Sequence, residues 1–411
     1  MSPKQKKKLI ILGSGFAAYG VIKKIDLDSY DVVNISPRNH FLFTPLLPST
    51  TVGTIAFRSI IEPIRSLRKV RFFMGECLSI DHQNKKVKCL DKDSGEKFDM
   101  DYDYLIIGVG EITNTFGIEG VKKYAYFLRE LSDARKIRVK IIDCFEDANL
   151  PGLSEDEIRD KLRFVICGGG PTGVEFAAEL NDLLEEDIKK KYPGLLQYTE
   201  IILVDAAQKI LSSFSQKLSE YAMKVFNRAK IDLKMNSIVT DVQKDCLTLK
   251  DGTKIKYSML VWATGNTALP FVKDTPFEKD KNGKIITDNY FRVPGYDGIF
   301  AVGDCSEIKD KPLPATAQVA QREGYFIAKY LNKIAKGKEC DPFRYKNLGM
   351  LAYIGSNKAL ADTPQFKGSG FNTWIFWRSA YLTKLVGLRN KIHVLFDWIM
   401  TSIFGRDLSN F

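Results

Sequence analysis

Short apolar runs that end in glycine-rich turns are the clearest pattern in the chain. Lys8–Leu12 is one such run, and Gly13–Gly15 follows it directly before a helical pattern begins. Phe164–Cys167 is a second run, followed by Gly168–Gly173 and then by the helical pattern of Val174–Leu184. Short apolar runs bounded by glycines are typical of buried strands, and apolar spacings of three and four residues predict helices. The chain therefore contains the same strand–turn–helix plan twice.

Each copy of this plan predicts a nucleotide site. Backbone N–H groups at a helix N-terminus and the helix dipole attract a pyrophosphate, and the glycines allow it to approach the backbone. A lone glycine motif is weak evidence, but two copies in the same context predict an α/β fold with two Rossmann-like dinucleotide-binding domains.

A second strand should follow each turn and reach the adenosine ribose. In the second copy this strand is Ile201–Val204, which ends in Asp205, an acid that can bind both ribose hydroxyls and repel a 2′-phosphate. Asp205 therefore favours NADH over NADPH, unless it merely starts a turn. In the first copy, Asp31–Ile35 ends in Ser36–Arg38, which lacks an acid but can still hold a ribose and a phosphate.

Later apolar runs predict further strands in both Rossmann-like domains. Tyr104–Ile107 ends in Gly108, and Met259–Trp262 ends in Ala263–Gly265. Ile299–Val302 leads to Asp304, whose carboxylate can bind flavin ribityl hydroxyls or can instead cap a following helix.

The C-terminal stretch from Trp374 to Phe404 is apolar at helical spacing and is punctuated by basic residues. Its apolar positions are Trp377, Tyr381, Leu385, Leu388, Ile392, Leu395, Ile399 and Ile403, and its basic residues are Lys384, Arg389, Lys391 and Arg406. Such an amphipathic helix suits the headgroup boundary of a membrane, although many similar stripes simply face a protein core.

Charge and composition narrow the function classes. The 411 residues carry a formal net charge of +11, which suits an anionic lipid surface or a nucleic acid. No nucleic-acid-binding signature accompanies the charge, so we expect no nucleic-acid partner. No run of 18 uncharged apolar residues is present, so we expect no membrane-spanning helix.

Cysteine and histidine usage indicates reduced thiols and no metal site. The seven cysteines form no CxxC pair, and the three histidines are not at ligand spacing. We expect no transit or signal peptide here, because residues 1–8 are too short for an amphipathic transit peptide and have no apolar signal-peptide core.

Several longer motifs resemble those of one family, the type II (alternative, rotenone-insensitive) NADH:quinone oxidoreductases of the two-dinucleotide-binding-domain flavoprotein superfamily. The motifs are Phe41–Pro48 (FLFTPLLP), Gly168–Glu175 (GGGPTGVE), Ala301–Asp304 (AVGD), Ala315–Ala320 (ATAQVA), Asn390–Lys391 and Phe396–Trp398. The likeness runs from about residue 8 to residue 407 and is greatest to the mitochondrial branch, through Ser36–Arg38 and Leu348–Ala361.

The resemblance implies a single-subunit enzyme that does not pump protons. It transfers a hydride from NADH to non-covalent FAD and passes the electrons to ubiquinone or another membrane quinone. It also implies a C-terminal domain docked on one leaflet, a homodimer, and a peripheral site on the mitochondrial inner membrane, although a prokaryotic-type cytoplasmic membrane remains possible. The corresponding boundaries are 1–120 and 282–342 for the two parts of the FAD domain, 121–281 for the NADH domain and 343–411 for the membrane-anchoring domain.

The family's functional residues carry over to matching positions. Those for FAD are Gly13, Gly15, Phe16, Ala17, Ser36, Arg38, Thr44, Gly108, Asp304 and Ala317. Those for NADH are Gly168, Gly170, Pro171, Thr172, Gly173, Glu175, Asp205, Thr264 and Gly265, and those for the quinone are Gln318, Gln321 and Tyr381.

Glu175 and Gln318 are the predicted catalytic residues. Glu175 should fall in the first helical turn, where it orients the nicotinamide or relays a proton, or else only complements the helix dipole. Gln318 lies in a predicted helix over Ala315–Tyr330 whose start should point at the flavin, and its amide can donate to a quinone carbonyl or hold the flavin pyrimidine edge. Arg322 and Glu323 make this helix more charged than is usual in the family.

Two departures from the family and three rival functions remain. Asp205 replaces the glutamate of many members, and no calcium-binding loop is present. A disulfide reductase would need a cysteine pair within residues 36–76, which contain none, while a sulfide:quinone reductase would have only Cys167 and Cys305. A non-catalytic dinucleotide sensor should have a damaged glycine motif, and both motifs are intact.

Overall fold

The computed structural model describes residues 6–68 and 70–409. The chain divides into two compact units, each built from three segments. The first unit is Met1–Leu42, Ile61–Ile112 and Asn266–Lys346, and the second is Phe43–Ile60, Thr113–Gly265 and Asn347–Phe411. Residues 1–5, on which the expectation about a transit peptide partly rests, lie outside the described residues.

The helices are, in chain order, α1 Phe16–Lys24, α2 Leu47–Thr51, α3 Glu119–Tyr124, α4 Leu131–Ala148, α5 Glu155–Lys161, α6 Pro171–Leu183, α7 Lys189–Lys191, α8 Gln216–Arg228, α9 Pro270–Asp274, α10 Ala317–Ala335, α11 Phe371–Lys384 and α12 Leu388–Phe404. A π-helical turn, Leu184–Ile188, extends α6.

The strands up to the second glycine motif are β1 Lys7–Leu12, β2 Tyr30–Ser36, β3 His40–Leu42, β4 Ile61–Pro63, β5 Arg71–Met74, β6 Glu76–Asp81, β7 Lys86–Leu90, β8 Lys97–Asp101, β9 Tyr104–Ile107, β10 Glu111–Thr113, β11 Tyr126–Phe127 and β12 Arg163–Cys167. The later strands are β13 Glu200–Val204, β14 Asp232–Lys234, β15 Val239–Val242, β16 Cys246–Leu249, β17 Lys254–Lys256, β18 Met259–Trp262, β19 Asn266–Ala268, β20 Ile285–Thr287, β21 Ile299–Ala301, β22 Ser306–Ile308, β23 Met350–Tyr353, β24 Ala359–Asp362 and β25 Lys367–Gly370.

The first unit is built on a five-stranded parallel sheet in the order β21-β9-β1-β2-β5. β1 is central because Leu9–Leu12 are buried and pair with β2 on one side and β9 on the other. The connection from β1 runs to β2, whereas β9 arrives later on the opposite side. Ligands of open α/β sheets bind where the strand order reverses in this way, beyond the carboxyl ends of the strands, and Gly13–Gly15 lie at that point.

The second unit repeats the plan with a parallel sheet in the order β11-β18-β12-β13-β14. β12 is central, paired with β13 and β18, and Gly168–Gly170 follow its carboxyl end. The predicted strands at both glycine motifs and the two Rossmann-like folds are therefore confirmed.

A three-stranded antiparallel sheet and two helices form the C-terminal part of the second unit. The sheet has the order β23-β24-β25. The prediction of a single amphipathic helix over Trp374–Phe404 is wrong, because α11 ends at Lys384 and α12 begins at Leu388. The break falls at Gly387, whose φ of 76° is a left-handed conformation that glycine adopts without strain.

The division into two helices also splits the predicted apolar stripe. Trp377 and Leu385 are buried, whereas Leu388, Ile392 and Ile403 are among the most exposed apolar side chains of the described chain. In the part of the chain that the structure describes, no helix combines the length and apolar character needed to cross a bilayer.

Candidate dinucleotide sites and a buried acidic row

The glycine turn of the first unit has no room for side chains on its protein side. Gly13 has a φ of 100°, and a Cβ there would lie 2.3 Å from the carbonyl oxygen of Gly108. A Cβ on Gly15, in contrast, would meet no protein atom within 4 Å. α1 begins at Phe16, and its N-cap, Gly15, has no side chain that could accept hydrogen bonds from the first N–H groups of the helix. The turn thus presents backbone N–H groups to open space, as a pyrophosphate site requires.

Polar side chains at the end of β2 converge on this turn. The Ser36 hydroxyl donates to the Ser14 hydroxyl over 3.0 Å, and Arg38 Nε donates to the same oxygen over 3.3 Å. Asn34 Nδ2 donates to the Gly13 carbonyl over 2.7 Å from within the buried strand. Ser36 and Arg38 are therefore gathered at the turn, as expected for a ribose and phosphate site.

Asp304 lies in a short 3₁₀ turn, Gly303–Cys305, that follows β21. It does not cap a longer helix, so this alternative is wrong. The turn is held by Glu323 of α10, whose carboxylate accepts the Gly303 N–H over 2.5 Å. Burial and the nearby charge of Asp304 raise the pKa of Glu323 to about 7.

The helix predicted over Ala315–Tyr330 is α10, which begins at Ala317 and has Thr316 as its N-cap. Thr316 Oγ1 accepts the Val319 N–H over 3.3 Å. Gln318 lies in the first turn, where its amide oxygen accepts the Tyr345 hydroxyl over 3.0 Å. Gln318 and Gln321 are both partly exposed.

The glycine turn of the second unit has the same construction. Gly168 has a φ of 125°, and a Cβ there would lie 2.6 Å from the carbonyl oxygen of Ala263, next to Thr264. A Cβ on Gly170 would meet nothing within 4 Å, and α6 begins at Pro171 without a capping side chain. The residues predicted for NADH in the glycine turn and at the end of β18 therefore meet in one place.

Asp205 lies beside this second glycine turn and is hydrogen-bonded to it. Its Oδ2 accepts the Gly169 N–H over 2.5 Å, and its Oδ1 accepts the Ala207 N–H over 2.6 Å. Asp205 thus holds a turn as well as the glycine loop. Each carboxylate oxygen has a further lone pair, so these bonds leave it able to accept ribose hydroxyls.

Glu175 lies one turn deeper than expected. α6 begins at Pro171, so Glu175 is its fifth residue and the first turn contains no acid. The expectation of a first-turn position is wrong, and this depth also weakens the alternative of a simple dipole partner. Its Oε1 accepts the Tyr353 N–H over 3.0 Å, and burial, helped by the charge of Glu179, raises its pKa to about 8.

Aromatic rings of α11 and neighbouring segments pack beside Glu175. The Tyr381 and Trp377 ring centroids are 4.7 Å apart, and Tyr381 meets Phe43 edge to face at 6.2 Å. Burial and the charge of Glu175 raise the pKa of Tyr381. Thr44, predicted for FAD, is an exposed residue of the second unit, and its role stays a prediction.

Glu175 begins a row of three buried carboxyl groups along α6, which continues with Glu179 and Asp182. Glu179 accepts the hydroxyls of Ser49 and Thr54 over 2.6 and 2.7 Å. No motif pointed to Glu179 or Asp182, although their spacing of four and seven residues from Glu175 places all three on one helix face. Asn34, Ser14 and the role of Glu323 likewise had no signal in the sequence.

The cysteines do not fit sulfide chemistry. Cys167 and Cys305 are both fully buried, and burial raises the pKa of Cys305 to about 12 and that of Cys167 further. The Cys305 thiol also donates to backbone carbonyls. Because the thiolate is the reactive form, neither residue resembles a redox cysteine. All seven cysteines are free thiols.

The two glycine turns fit two dinucleotides. Each has one face packed against a neighbouring strand end and one face open at a helix N-terminus. The first unit adds Ser36, Arg38 and Asp304, and the second adds Asp205. Among the described residues, no group of three or more His, Cys, Asp or Glu side chains is arranged to hold a metal ion.

Comparisons with known proteins agree with this geometry. Residues 7–324 match the family model described as pyridine nucleotide-disulphide oxidoreductase, and residues 347–407 match the NDH2 C-terminal domain. The chain is 47% identical to a probable NADH dehydrogenase of Dictyostelium discoideum, over 99% of this chain and 92% of that protein. It is 41% identical to an internal alternative NAD(P)H-ubiquinone oxidoreductase A1, mitochondrial, of Solanum tuberosum, over 98% of this chain and 88% of that protein.

A solved structure of NDH2 from Plasmodium falciparum in complex with NADH superimposes with a TM-score of 0.94 at 29% identity. The match covers 98% of this chain and all of that one. The chain thus belongs to the pyridine nucleotide-disulphide oxidoreductase family and, within it, to the alternative NADH–ubiquinone oxidoreductases.

Proposed function

We propose that the chain is an NADH dehydrogenase that reduces a membrane quinone without pumping protons. The observation that carries this proposal is the repeated glycine turn, once in each unit of a chain that belongs to the alternative NADH–ubiquinone oxidoreductases. FAD, when bound, accepts a hydride and returns electrons to an acceptor. The first unit is assigned to FAD and the second to NADH.

The chain's own residues bind and orient these groups. Gly13, Gly15 and the start of α1, with Phe16 and Ala17, receive the FAD pyrophosphate. Further FAD contacts are assigned to Ser36, Arg38, Gly108, Asp304 and Ala317. Pro171, Thr172 and Gly173 belong to the NADH turn, and Thr264 and Gly265 lie beside it after β18. Asp205 binds the NADH ribose, and Gln318, Gln321 and Tyr381 contact the quinone.

Two glycine variants test the assignment. Gly15 and Gly170 have extended backbone with φ of −79° and −75°, and a Cβ on either meets no protein atom within 4 Å. Valine is therefore accommodated by the protein but fills the space of a pyrophosphate. We expect Gly15→Val to be colourless, and Gly170→Val to retain yellow FAD that NADH no longer bleaches.

The assay is the absorption spectrum of purified protein before NADH, after NADH and after addition of a short-chain quinone. The intact chain should bleach with NADH and recover with quinone. A colourless intact chain, or two variants that behave identically, would exclude the assignment of one dinucleotide to each unit.

We further propose that α11 and α12 attach the protein to an anionic membrane. Their exposed apolar residues are Phe371, Ile375, Phe376, Leu388, Ile392, Leu395, Phe396, Ile399, Met400, Ile403 and Phe404. Burying one such side chain completely contributes about 1.5–3 kcal/mol, and each nearby Lys or Arg about 1 kcal/mol. Attachment should thus be only partly sensitive to salt.

Vesicle flotation with point variants tests this attachment. Ile392→Glu with Ile399→Glu should lower flotation on anionic vesicles, whereas Ile238→Glu, at an exposed apolar position outside these helices, should not. Equal flotation of all three proteins would show that α11 and α12 do not bind lipid.

Location and assembly extend the same proposal. Several relatives are mitochondrial enzymes by name, and we infer a peripheral site on the mitochondrial inner membrane. A homodimer is proposed from the family resemblance, and sedimentation in detergent measures it directly.

A further inference from the structure

A phenylalanine beside the end of β18 departs from two rules of local structure. Phe116 has a φ of 52°, in the left-handed region, and the residue is 61% exposed. Among the large apolar residues of the described chain, only members of α12 are more exposed. A bulky residue with left-handed backbone and a departure from local preference are both typical of functional sites.

The turn that contains Phe116 normally selects other residue types. Phe116 and Gly117 have φ of 52° and 78°, and the Ile118 N–H donates to the Thr115 carbonyl over 3.0 Å. Positive φ at both central residues with this closing bond is typical of a type I′ turn, whose first central position favours Asn, Asp or Gly. An exposed aromatic ring contributes little to the core, so the local fold gives no reason for phenylalanine here.

Hydrogen bonds attach this turn to the end of β18. The Asn114 N–H donates to the Gly265 carbonyl over 3.1 Å, and Trp262 Nε1 donates to the Asn114 carbonyl over 3.1 Å. Asn114 Oδ1 accepts the Phe116 N–H over 2.8 Å. All four residues belong to the second unit, and a Cβ on Gly265 would lie 2.7 Å from Cζ of the Phe116 ring. The ring is therefore held over the Gly265 backbone.

The order of the strands indicates which half of NADH lies beside Gly265. β13, which ends at Asp205, pairs with one side of β12, and β18 pairs with the other. The pyrophosphate is assigned to the glycine turn after β12, and the adenosine ribose to Asp205. The other half of the dinucleotide must then extend toward the end of β18, where Thr264 adjoins Gly168. That half carries the nicotinamide.

We propose that the exposed face of the Phe116 ring packs against the nicotinamide half of bound NADH. The ring supplies apolar area and a π face without charge, which suits contact with a planar heterocycle or the face of a ribose. The left-handed turn is the backbone conformation that presents the ring to this place. This inference rests on the proposed function, which assigns NADH to the second unit.

Two ligands that share one half test the contact. NAD⁺ and ADP-ribose have the same adenosine, pyrophosphate and second ribose, but ADP-ribose lacks the nicotinamide, and oxidised protein with its FAD binds either without turnover. Phe116→Asn should weaken NAD⁺ binding at least about fivefold, since an aromatic contact contributes about twofold to tenfold beyond its buried area. ADP-ribose affinity should fall less than the affinity for NAD⁺. Titration calorimetry measures both values.

Thermal unfolding and stopped-flow kinetics separate this role from a structural one. Asparagine is favoured in the left-handed turn, so Phe116→Asn should unfold at or above the wild-type temperature. The NADH concentration that gives half the limiting rate of flavin reduction should rise with the NAD⁺ dissociation constant. Flavin reoxidation by a short-chain quinone should stay within about twofold, because the ring contacts only the electron donor.

Three further variants keep the test decisive. Phe116→Tyr retains the ring and should bind NAD⁺ within about twofold of the wild type. Leu150→Asn removes an apolar side chain that is 58% exposed in the turn after α4, and it should leave both affinities unchanged. Phe116→Leu keeps an apolar side chain without the ring, and it should show the same selective loss of NAD⁺ if Phe116→Asn does not retain FAD.

The outcomes distinguish this inference from the proposed function. If NADH does not bleach the wild-type flavin, the proposed function fails and the role of Phe116 fails with it. If the wild type is bleached, three results refute only the role of Phe116. These are unchanged NAD⁺ affinity in Phe116→Asn, an equal loss of NAD⁺ and ADP-ribose affinity, and loss of FAD from both Phe116→Asn and Phe116→Leu.

Discussion

Arg406 is expected to stabilise the second unit, and its loss should be among the costlier substitutions in the C-terminal segment. Only 5% of its side chain is exposed. Nη1 donates to Asp187 over 2.8 Å and to Glu186 over 2.7 Å, while Nε donates to the Thr54 hydroxyl over 3.0 Å. These bonds attach the chain beyond α12 to the π-helical turn that extends α6.

The expected magnitude follows from what Arg406→Met leaves behind. The Glu186 side chain is 52% exposed, so its pair contributes about 1 kcal/mol or less. The Asp187 side chain is 5% exposed, and stranding a buried charge costs about 3–5 kcal/mol. Methionine keeps much of the apolar stem, so we expect a loss of about 3–5 kcal/mol in the free energy of unfolding of the second unit.

A double-mutant cycle measures this value. Arg406→Met, Asp187→Asn and the double variant are compared by thermal and urea unfolding, followed at tryptophan emission. The double variant should recover part of the loss, with a coupling energy of at least about 1 kcal/mol, because no unpaired charge remains. Arg389→Met, at an exposed position of α12, is the control and should change stability by about 0.5 kcal/mol or less.

Either of two results would refute the reasoning. One is an Arg406→Met protein within about 1 kcal/mol of the wild type, and the other is strictly additive losses in the double variant. Because Arg406 is buried, its removal should also leave the salt dependence of vesicle binding unchanged. This differs from the expectation from sequence that Arg406 is one of the basic residues at the lipid headgroups.

Three further predictions concern cofactor preference, quinone reduction and the pH dependence of stability. Asp205→Asn should narrow the preference of NADH over NADPH, measured as the ratio of kcat/KM values, because the repulsion of a 2′-phosphate is removed; equal ratios before and after the change would contradict it. Gln318→Ala or Tyr381→Ala should slow quinone reduction while sparing ferricyanide reduction, and equal loss with both acceptors would place the damage elsewhere. Glu323 has its pKa raised from 4.5 to about 7, so the folded state loses stability as the pH rises through this range; Glu323→Gln should therefore gain thermal stability relative to the wild type at pH 8 but not at pH 5, and a difference independent of pH would exclude the effect.

Much of the fold could be predicted because its signals are local. Lys8–Leu12 and Phe164–Cys167 are apolar runs whose burial in a parallel sheet leaves little alternative, and the glycines after them encode their own turn geometry. Family motifs then indicated FAD, NADH and quinone from short segments such as Gly168–Glu175. Glycine turns at strand ends are determined by a few neighbouring residues. Both glycine turns could therefore be located without a structure.

The side-chain partners of charged residues depended on tertiary packing. Arg406 and Arg389 are both basic residues in the same amphipathic pattern, yet one is buried against Asp187 and the other is exposed. Glu323 likewise acquires its role only because α10 places it at the Gly303 N–H. A sequence pattern gives the helix face of a charge but not the segment, distant in the chain, that meets that face.

The sequence by itself determined the two dinucleotide folds, the order of their strands along the chain and the positions of their turns, since each depends on local apolar runs and glycines. Tertiary structure alone decided that the C-terminal stretch bends at Gly387 and that Glu175, Glu179 and Asp182 form a buried row closed by Tyr353. The row exists because β23, far along the chain, covers α6, and burial by such a remote segment is what raises the pKa values of these acids.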